Sequence, residues 1–316
     1  MDRVPFSFEL YPPRTAESAR ALHDTIARLA EAGPEFISVT YGAGGSTGGR
    51  SLEVLRHIRQ HTETEPLAHL TCVGNTYEGA ARLIREFLDA GVRSFLALRG
   101  DPPAGQDESD AFLGDLESSA QLVQLIDRVQ AECAPYEESP VRGNPDAVRV
   151  APRRKVSIAV AAFPNGHPRS AYSSQHVDAL LAKQAAGATL AITQLFFHPD
   201  HYLAFVERAR RAGVTIPILP GIMPITSPAR LTRVLELTGE ELPSELAIEL
   251  EIEPTAEGRR QIGIRWAADL IRAVVDGGAP GVHLYAFNQH ETVLDVLHGA
   301  GVLPERRLLA ASKGNS

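Results

Sequence analysis

Two carboxylates stand at positions where a charge is awkward to place. Glu9 lies inside the apolar run "FSFEL" (6–10), and Asp101 closes the run "FLALRGD" (95–101), ahead of two prolines. Polar residues end several other apolar runs: Thr40 and Tyr41, His69 and Thr71, Arg99 and Gly100, Thr193 and Gln194, Tyr285 and Asn288, with His167 following a further run. Two acids, a set of neutral donors and no evident nucleophile point to proton transfer around a bound organic ligand or cofactor. They do not name that ligand.

Other chemistries find less support. His57 and His61 are spaced i, i+4 without a third ligand, and read as surface residues. His198 and His201 lie three apart across Pro199 at a helix start and read as capping. Cys72 and Cys133 have no metal-type spacing, so neither a zinc site nor a disulfide framework is expected, and Cys72 reads as a small core residue. The stretch "YGAGGSTGG" (41–49) follows a strand and precedes a helix, but Thr47 stands where a dinucleotide fingerprint has its third glycine, and no G-K-[ST] follows. It reads as a flexible loop that closes over a ligand.

The elements that must position these groups repeat. A helical stretch closes on a small residue and glycine, and a β-rich run begins within a few residues: "EAGPEFISVTYG" (31–42), "DAGVRSFLALRG" (89–100), "AAGATLAITQLFF" (185–197), "RAGVTIPILPG" (211–221) and "DGGAPGVHLYAF" (276–287). Glycine just past a helix accepts the left-handed conformation at little cost. The runs at 5–10, 67–73 and 155–163 bring the number to eight. Between runs the period is helical: Ala80, Leu83, Ile84, Phe87 and Leu88 make one apolar face, and Tyr202, Phe205, Val206 and Ala209 another. Most runs are apolar on both alternations, as strands covered on both faces are. Eight strand–helix units in 316 residues predict an α/β fold, a (β/α)8 TIM barrel, as one domain over 1–316. An open doubly wound sheet is the rival. Residues 134–154, rich in proline and charge, read as a mobile loop, 227–277 as holding an additional short helix at "ELPSELAIELEI", and the C-terminus as a short disordered tail. In such a barrel catalytic groups sit at the carboxyl ends of the strands, where the polar residues above fall.

Composition narrows the partners. The chain is 44% hydrophobic and 22% charged with a net charge of −8, which argues against nucleic-acid or anionic-membrane partners. No apolar stretch approaches a membrane span, and "MDRVPFSFEL" lacks the regions of a signal peptide, so a cytoplasmic location is expected.

Seven stretches, "SFELYPPRT", "FISVTYGAGGST", "HLTC", "ALRGDPP", "VAAFPNGHPRS", "AITQLFF" and "LPGIMPIT", resemble in order and spacing the methylenetetrahydrofolate reductase family, in its bacterial form of a catalytic barrel alone. The resemblance runs from about residue 6 to 290. It implies an FAD-containing barrel in which NADH or NADPH reduces the flavin, and 5,10-methylenetetrahydrofolate then takes a hydride to become 5-methyltetrahydrofolate. By the same resemblance Glu9 is the general acid, its pKa raised by apolar neighbours, and Asp101 lies near flavin and pterin. Gln194 and Tyr285 contact the folate. Thr40, Tyr41, His69, Arg99, Gly100, Asp101, His167 and Lys183 contact the flavin, with Phe112 and Phe163 as aromatic neighbours. A homo-oligomer is also implied. The chain departs from the family's pattern at "HVDA" (His176 to Ala179), where two polar flavin contacts are missing, at Pro228, where some members carry an aromatic residue, and at Gln289, where some carry arginine. These departures keep two alternatives open: a flavin-independent variant of the reductase and a non-catalytic flavin- or folate-binding barrel.

Overall fold

The computed structural model describes residues 3–41, 48–100, 113–133, 136–141, 144–152, 155–166 and 175–304. The expected site residues Asp101, Phe112 and His167, most of the glycine-rich stretch (42–47) and the C-terminal tail (305–316) lie outside the described residues.

The chain opens with β1 (Phe6–Leu10), α1 (Ala16–Glu31), β2 (Phe36–Val39), α2 (Gly48–His61), β3 (Glu65–Thr71), α3 (Tyr77–Asp89), β4 (Ser94–Leu98) and α4 (Ser119–Cys133). A two-stranded antiparallel hairpin follows, β5 (Tyr136–Val141) and β6 (Asn144–Pro152), where a loop is expected from proline and charge content. The alternation "AVRVA" (147–151) carries the ladder that the proline content obscures. The unit pattern then resumes with β7 (Ser157–Ala162), α5 (Gln175–Ala185), β8 (Leu190–Thr193) and α6 (Pro199–Arg211). After it come β9 (Ile218–Leu219), β10 (Gly221–Ile222), α7 (Pro228–Thr238), α8 (Ser244–Ile252), α9 (Ala256–Asp276), β11 (Val282–Tyr285) and α10 (His290–Gly299). The expected extra helix is α8.

The large sheet is parallel throughout and runs β10-β11-β1-β2-β3-β4-β7-β8-β9. Its two ends are halves of one strand, parted at Pro220. Proline has no N–H to give a ladder, so β9 pairs with β8 on one side and β10 with β11 on the other. Pro220 still serves as an acceptor, taking the His283 amide at 3.0 Å. The result is a nearly closed barrel of eight staves, each matching an expected run.

Strand alternation splits the core into two zones. In β1, Phe6, Phe8 and Leu10 point outward and join one large cluster with Leu22, Ile26 and Leu29 of α1. Ser7 and Glu9 therefore point into the barrel, and their register partners Ser38, His283 and Tyr285 share that side. The interior is divided. Leu67, Leu96, Ala159 and Ile192 fill the part under β3, β4, β7 and β8, whereas Ser7, Glu9, Ser38, His69 and His283 make the part beside β1 buried but polar.

The helices obey their predicted faces. In α3, Ala80, Ile84, Phe87 and Leu88 are buried, as are Tyr202, Phe205 and Ala209 of α6. Thr15 and Ser18 cap α1 reciprocally, and Thr76, Ser227 and Thr255 cap α3, α7 and α9. His198 stands at the N-cap of α6 but makes no side-chain cap bond, so its expected capping role is confined to position. Cys72 is buried among core residues as expected, and burial pushes its thiol up to about 11.

Helix α9 presses on the segment before α7 so closely that a Cβ at Gly263 would overlap the carbonyl of Ile225. Alanine there gains about 1 kcal/mol of helix propensity, but overpacking against backbone costs about 1–3 kcal/mol. Gly263→Ala is therefore expected to lower the urea midpoint, where an uncrowded helical glycine would raise it.

Candidate active site

Glu9 is the only carboxylate among the described residues that is buried, at 7% exposure. It lies near the carboxyl end of β1 facing two imidazoles. His69 Nε2 of β3 lies 3.6 Å from Glu9 Oε2, and His283 Nε2 of β11 lies 3.7 Å from the same oxygen. Those separations suit ion pairs but exceed hydrogen-bond length. Both Nε2 atoms are buried without a hydrogen-bond partner. On its other side, His283 Nδ1 is 2.8 Å from Ser7 Oγ, which fixes the ring's orientation. Ser7, His283, Glu9 and His69 thus lie in one buried row of polar groups, hydrogen-bonded between Ser7 and His283 and in ion-pair range at Glu9.

This environment reverses the expectation that apolar neighbours raise the Glu9 pKa. Burial does raise it and is the largest single influence, but His69 and His283 together outweigh that and hold the carboxyl below its ordinary range. The expectation fails because Phe8 and Leu10 are neighbours in sequence only; alternation turns them to the opposite face. Burial also pulls the His69 imidazole down, partly offset by Glu9. The two tendencies pull against each other, since a neutral imidazole holds a carboxylate less strongly than a cation. Glu9 is taken as ionised in the ligand-free site, in keeping with the downward shift of its carboxyl.

The other expected residues ring this centre. Tyr285, paired with Glu9 in register, sends its hydroxyl to the Thr193 carbonyl at 2.9 Å, across the broken seventh stave. The bridge depends on Gly221: a Cβ there would collide with the Thr193 carbonyl and lie 2.8 Å from the Tyr285 hydroxyl. Burial, with Glu9 and Tyr11 nearby, raises the Tyr285 phenol well above its usual value. Gln194 follows β8, half-buried, and its Oε1 accepts from the Leu195 amide at 3.0 Å. Thr40 ties β2 to β1 by donating its amide to Leu10 at 2.9 Å, while its carbonyl accepts from Ser51 Oγ at 2.9 Å. Tyr41 is half-buried beside it.

On the far rim, Arg99 and Gly100 follow β4. Gly100 has φ +84°, and a Cβ would strike Val73 and Thr71, so the backbone there is tightly set against the exit of β3. Lys183 of α5 reaches the Ala161 carbonyl at 2.8 Å and stands 5.9 Å from the Phe163 ring centre. Burial pulls its ammonium down to about 8. His176 of the "HVDA" stretch begins α5 and lies against Gly166, so that stretch still borders the rim.

The sequence reading missed Ser7, Ser38 and His283. A signal was present: Ser7 precedes Glu9 by two and His283 precedes Tyr285 by two, and the strand period places each one pleat deeper on the same face. It also missed the use of Asn288, whose Oδ1 accepts the Tyr11 amide at 2.9 Å while its Nδ2 donates to the Tyr11 carbonyl at 3.0 Å. Among the described residues no cluster of His, Cys, Asp or Glu is arranged to hold a metal, and no helix is long and apolar enough to cross a membrane.

The parallel eight-stave sheet defines a (β/α)8 barrel, with a buried carboxylate between imidazoles near its carboxyl rim, an arrangement of groups able to exchange a proton. Comparison with known proteins is more specific. The family model described as methylenetetrahydrofolate reductase matches residues 1–301. A Salmonella typhimurium protein named 5,10-methylenetetrahydrofolate reductase is 31% identical over 96% of this chain and 92% of its own length. A Zea mays protein named methylenetetrahydrofolate reductase (NADH) 1 is 33% identical over 97% of this chain, which spans only 50% of that relative's length. The chain belongs to the methylenetetrahydrofolate reductase family. Among solved structures, a Clostridium thermocellum protein described as binding two copies of 5-methyl-5,6,7,8-tetrahydrofolic acid matches with a TM-score of 0.60 at 12% identity, over 95% of both chains. That likeness bears on the fold alone.

The site has a pH signature. An unfolded Glu9 takes its proton near pH 4.5, whereas the folded carboxyl holds out to lower pH. An unfolded His69 takes its proton near pH 6.5, whereas the buried ring resists. In both windows the unfolded chain binds more protons, so stability falls on acidification, first through His69 and then through Glu9. Urea midpoints measured from pH 7 to pH 4 should decline in the native chain, and Glu9→Gln should flatten the part below about pH 4.5.

Proposed function

We propose that this chain reduces 5,10-methylenetetrahydrofolate to 5-methyltetrahydrofolate, with electrons from NADH or NADPH and FAD as the bound carrier, in two alternating half-reactions. The observation that carries the reading is Glu9, a buried carboxylate connected to two imidazoles, in a chain of this family. Plant relatives named as NADH-dependent reductases favour NADH as the donor.

The rim residues suit a flavin dinucleotide. The half-buried Lys183 ammonium is met by one carbonyl and an aromatic ring, an environment that a phosphate would complete. Arg99 adds a second cation at the end of β4, and Gly100 beside it belongs to the same rim. Thr40, Tyr41 and His69 supply polar groups between them, and Phe112, His167 and Asp101 are assigned to the same cofactor by resemblance. FAD, when bound, would take a hydride from the nicotinamide and give one to the folate.

The chain's own residues handle the proton and the substrate. Opening the folate's five-membered ring requires a proton at the departing nitrogen, and Glu9 Oε2 is the group placed to give it. Because Glu9 is held as a carboxylate without ligand, its proton must be loaded, and His69 and His283 are the adjacent sources, the latter backed by Ser7. A pterin covering Glu9 removes its remaining 7% exposure, and that further desolvation pushes its pKa upward, toward the range of a working acid. Asp101 is assigned the stabilisation of positive charge on the opened ring, and Gln194 and Tyr285 the contacts that orient the pterin.

A purified protein is expected to be yellow, to bleach with NADH or NADPH, and to regain colour with methylenetetrahydrofolate. Glu9→Gln should keep the bleaching step and lose about 10²–10⁴-fold in the folate step. A colourless protein that FAD cannot reconstitute would favour the flavin-independent reading, and equal folate rates in both proteins would favour the non-catalytic one.

A further inference from the structure

The turn after β11 is under backbone strain. Phe287 and Asn288 take φ of +48° and +58° in succession, a region that bulky side chains avoid. The turn persists because the Asn288 side chain clamps both the amide and the carbonyl of Tyr11, two residues past Glu9. That clamp lays the Phe287 ring on Tyr11, at 5.4 Å between centres and 24° between planes. The Arg230 guanidinium of α7 then lies over Phe287 at 4.8 Å.

Arg230 is half-buried, yet among the described residues its guanidinium meets neither a carboxylate nor a carbonyl. Other half-buried arginines are satisfied: Arg93 donates to the Leu88 and Val92 carbonyls, and Arg260 pairs with Glu257 and Asp295. A flat cation stacked on a ring keeps its donor edge open, and partial burial strengthens whatever anion it meets. The Tyr11 hydroxyl lies close enough to feel both Glu9 and Arg230, so the two charges bracket the aromatic column.

We infer that Arg230, carried on the Tyr11–Phe287 column, binds the carboxylate-bearing tail of the folate while its pterin end lies at Glu9. The assignment rests on the proposed folate reaction and adds a specificity residue to it. The column's chemistry matches such a ligand: a head that takes a proton, an aromatic linker that lies on rings, and an anionic end that meets a cation. A nicotinamide dinucleotide is the rival source of an anion, offering a phosphate.

The test measures binding by the full chain, without turnover, of 5-methyltetrahydrofolate and of 5-methyltetrahydropteroic acid amide, which carries no carboxylate. The native chain should prefer the glutamyl form by about tenfold or more, the usual yield of a charge-assisted hydrogen bond. In Arg230→Ala that ratio should fall to near one, and Arg230→Lys should keep part of it. Ligand-free thermal midpoints of both variants confirm that the fold is retained, and the lysine variant decides if the alanine variant fails to fold. An equal ratio in native and variant, or a native ratio of one, overturns the inference and leaves the reductase reading standing. Weakened binding of NADH or NADPH with an unchanged folate ratio also overturns it, assigning the cation to a phosphate. A native chain that binds neither pterin overturns both.

Discussion

The rest of the site depends on one ionised group kept out of water. An isolated carboxylate in a barrel interior would shed its charge, since desolvation alone favours the protonated form. Here two imidazoles from β3 and β11 face the same Glu9 oxygen, and the balance tips toward the anion. The polar side of the interior exists to accommodate that group. Leu67, Leu96, Ala159 and Ile192 supply dry packing on the other side, so the barrel keeps a core while the side beside β1 carries Ser7, Ser38, His69 and His283. Each Nε2 facing Glu9 has no hydrogen bond. Stability alone would favour closing those gaps; leaving them open suits the release and return of a proton proposed for Glu9.

The broken stave matters for the same reason. A continuous seventh strand would present a side chain at position 221, where the Tyr285 phenol crosses to Thr193. Pro220 interrupts the ladder and Gly221 leaves the space, so Tyr285 can lie across the rim beside its register partner Glu9. The lost strand hydrogen bonding is recovered from neighbours: Pro217 accepts from Ala191 at 2.8 Å, and the Gly221 amide donates to Thr193 Oγ1 at 2.8 Å. Closing the barrel and placing the phenol are one structural event.

What could be read from the sequence follows from the range of each interaction. The eight staves, the extra helix α8 and the apolar face of α3 rest on spacing within a single element, and local periodicity reports them faithfully. Glu9 was legible as an acid for the same reason. Its charge state was not, because the residues that decide it lie sixty or more positions away and are brought in by closure of the sheet: His69 across β2, and His283 from the far end of the chain. The adjacent Phe8 and Leu10, which suggested a raised pKa, have no bearing, since alternation points them outward. The hairpin β5–β6 failed differently: proline and charge outweighed a short alternating pattern within the same residues.

The seam between the last stave and the first concentrates the cost and the function. Parallel pairing of β11 with β1 is what closes the ring, and the chain then turns through two left-handed residues to reach α10. A glycine at 287 or 288 would relieve the strain, but it would also remove the Phe287 ring or the Asn288 clamp on Tyr11. Strain kept where a simple substitution could remove it implies that the side chains do something there that the fold does not need. Glu9, its histidine partner His283, Tyr285, Tyr11 and Phe287 all belong to these two strands or the turns that leave them, so the proposed acid and the proposed docking surface share one frame. A small shift of that seam would misplace proton donor and surface together, which is why the strained turn is tied back to the backbone of β1's exit and not left to the loops beyond it.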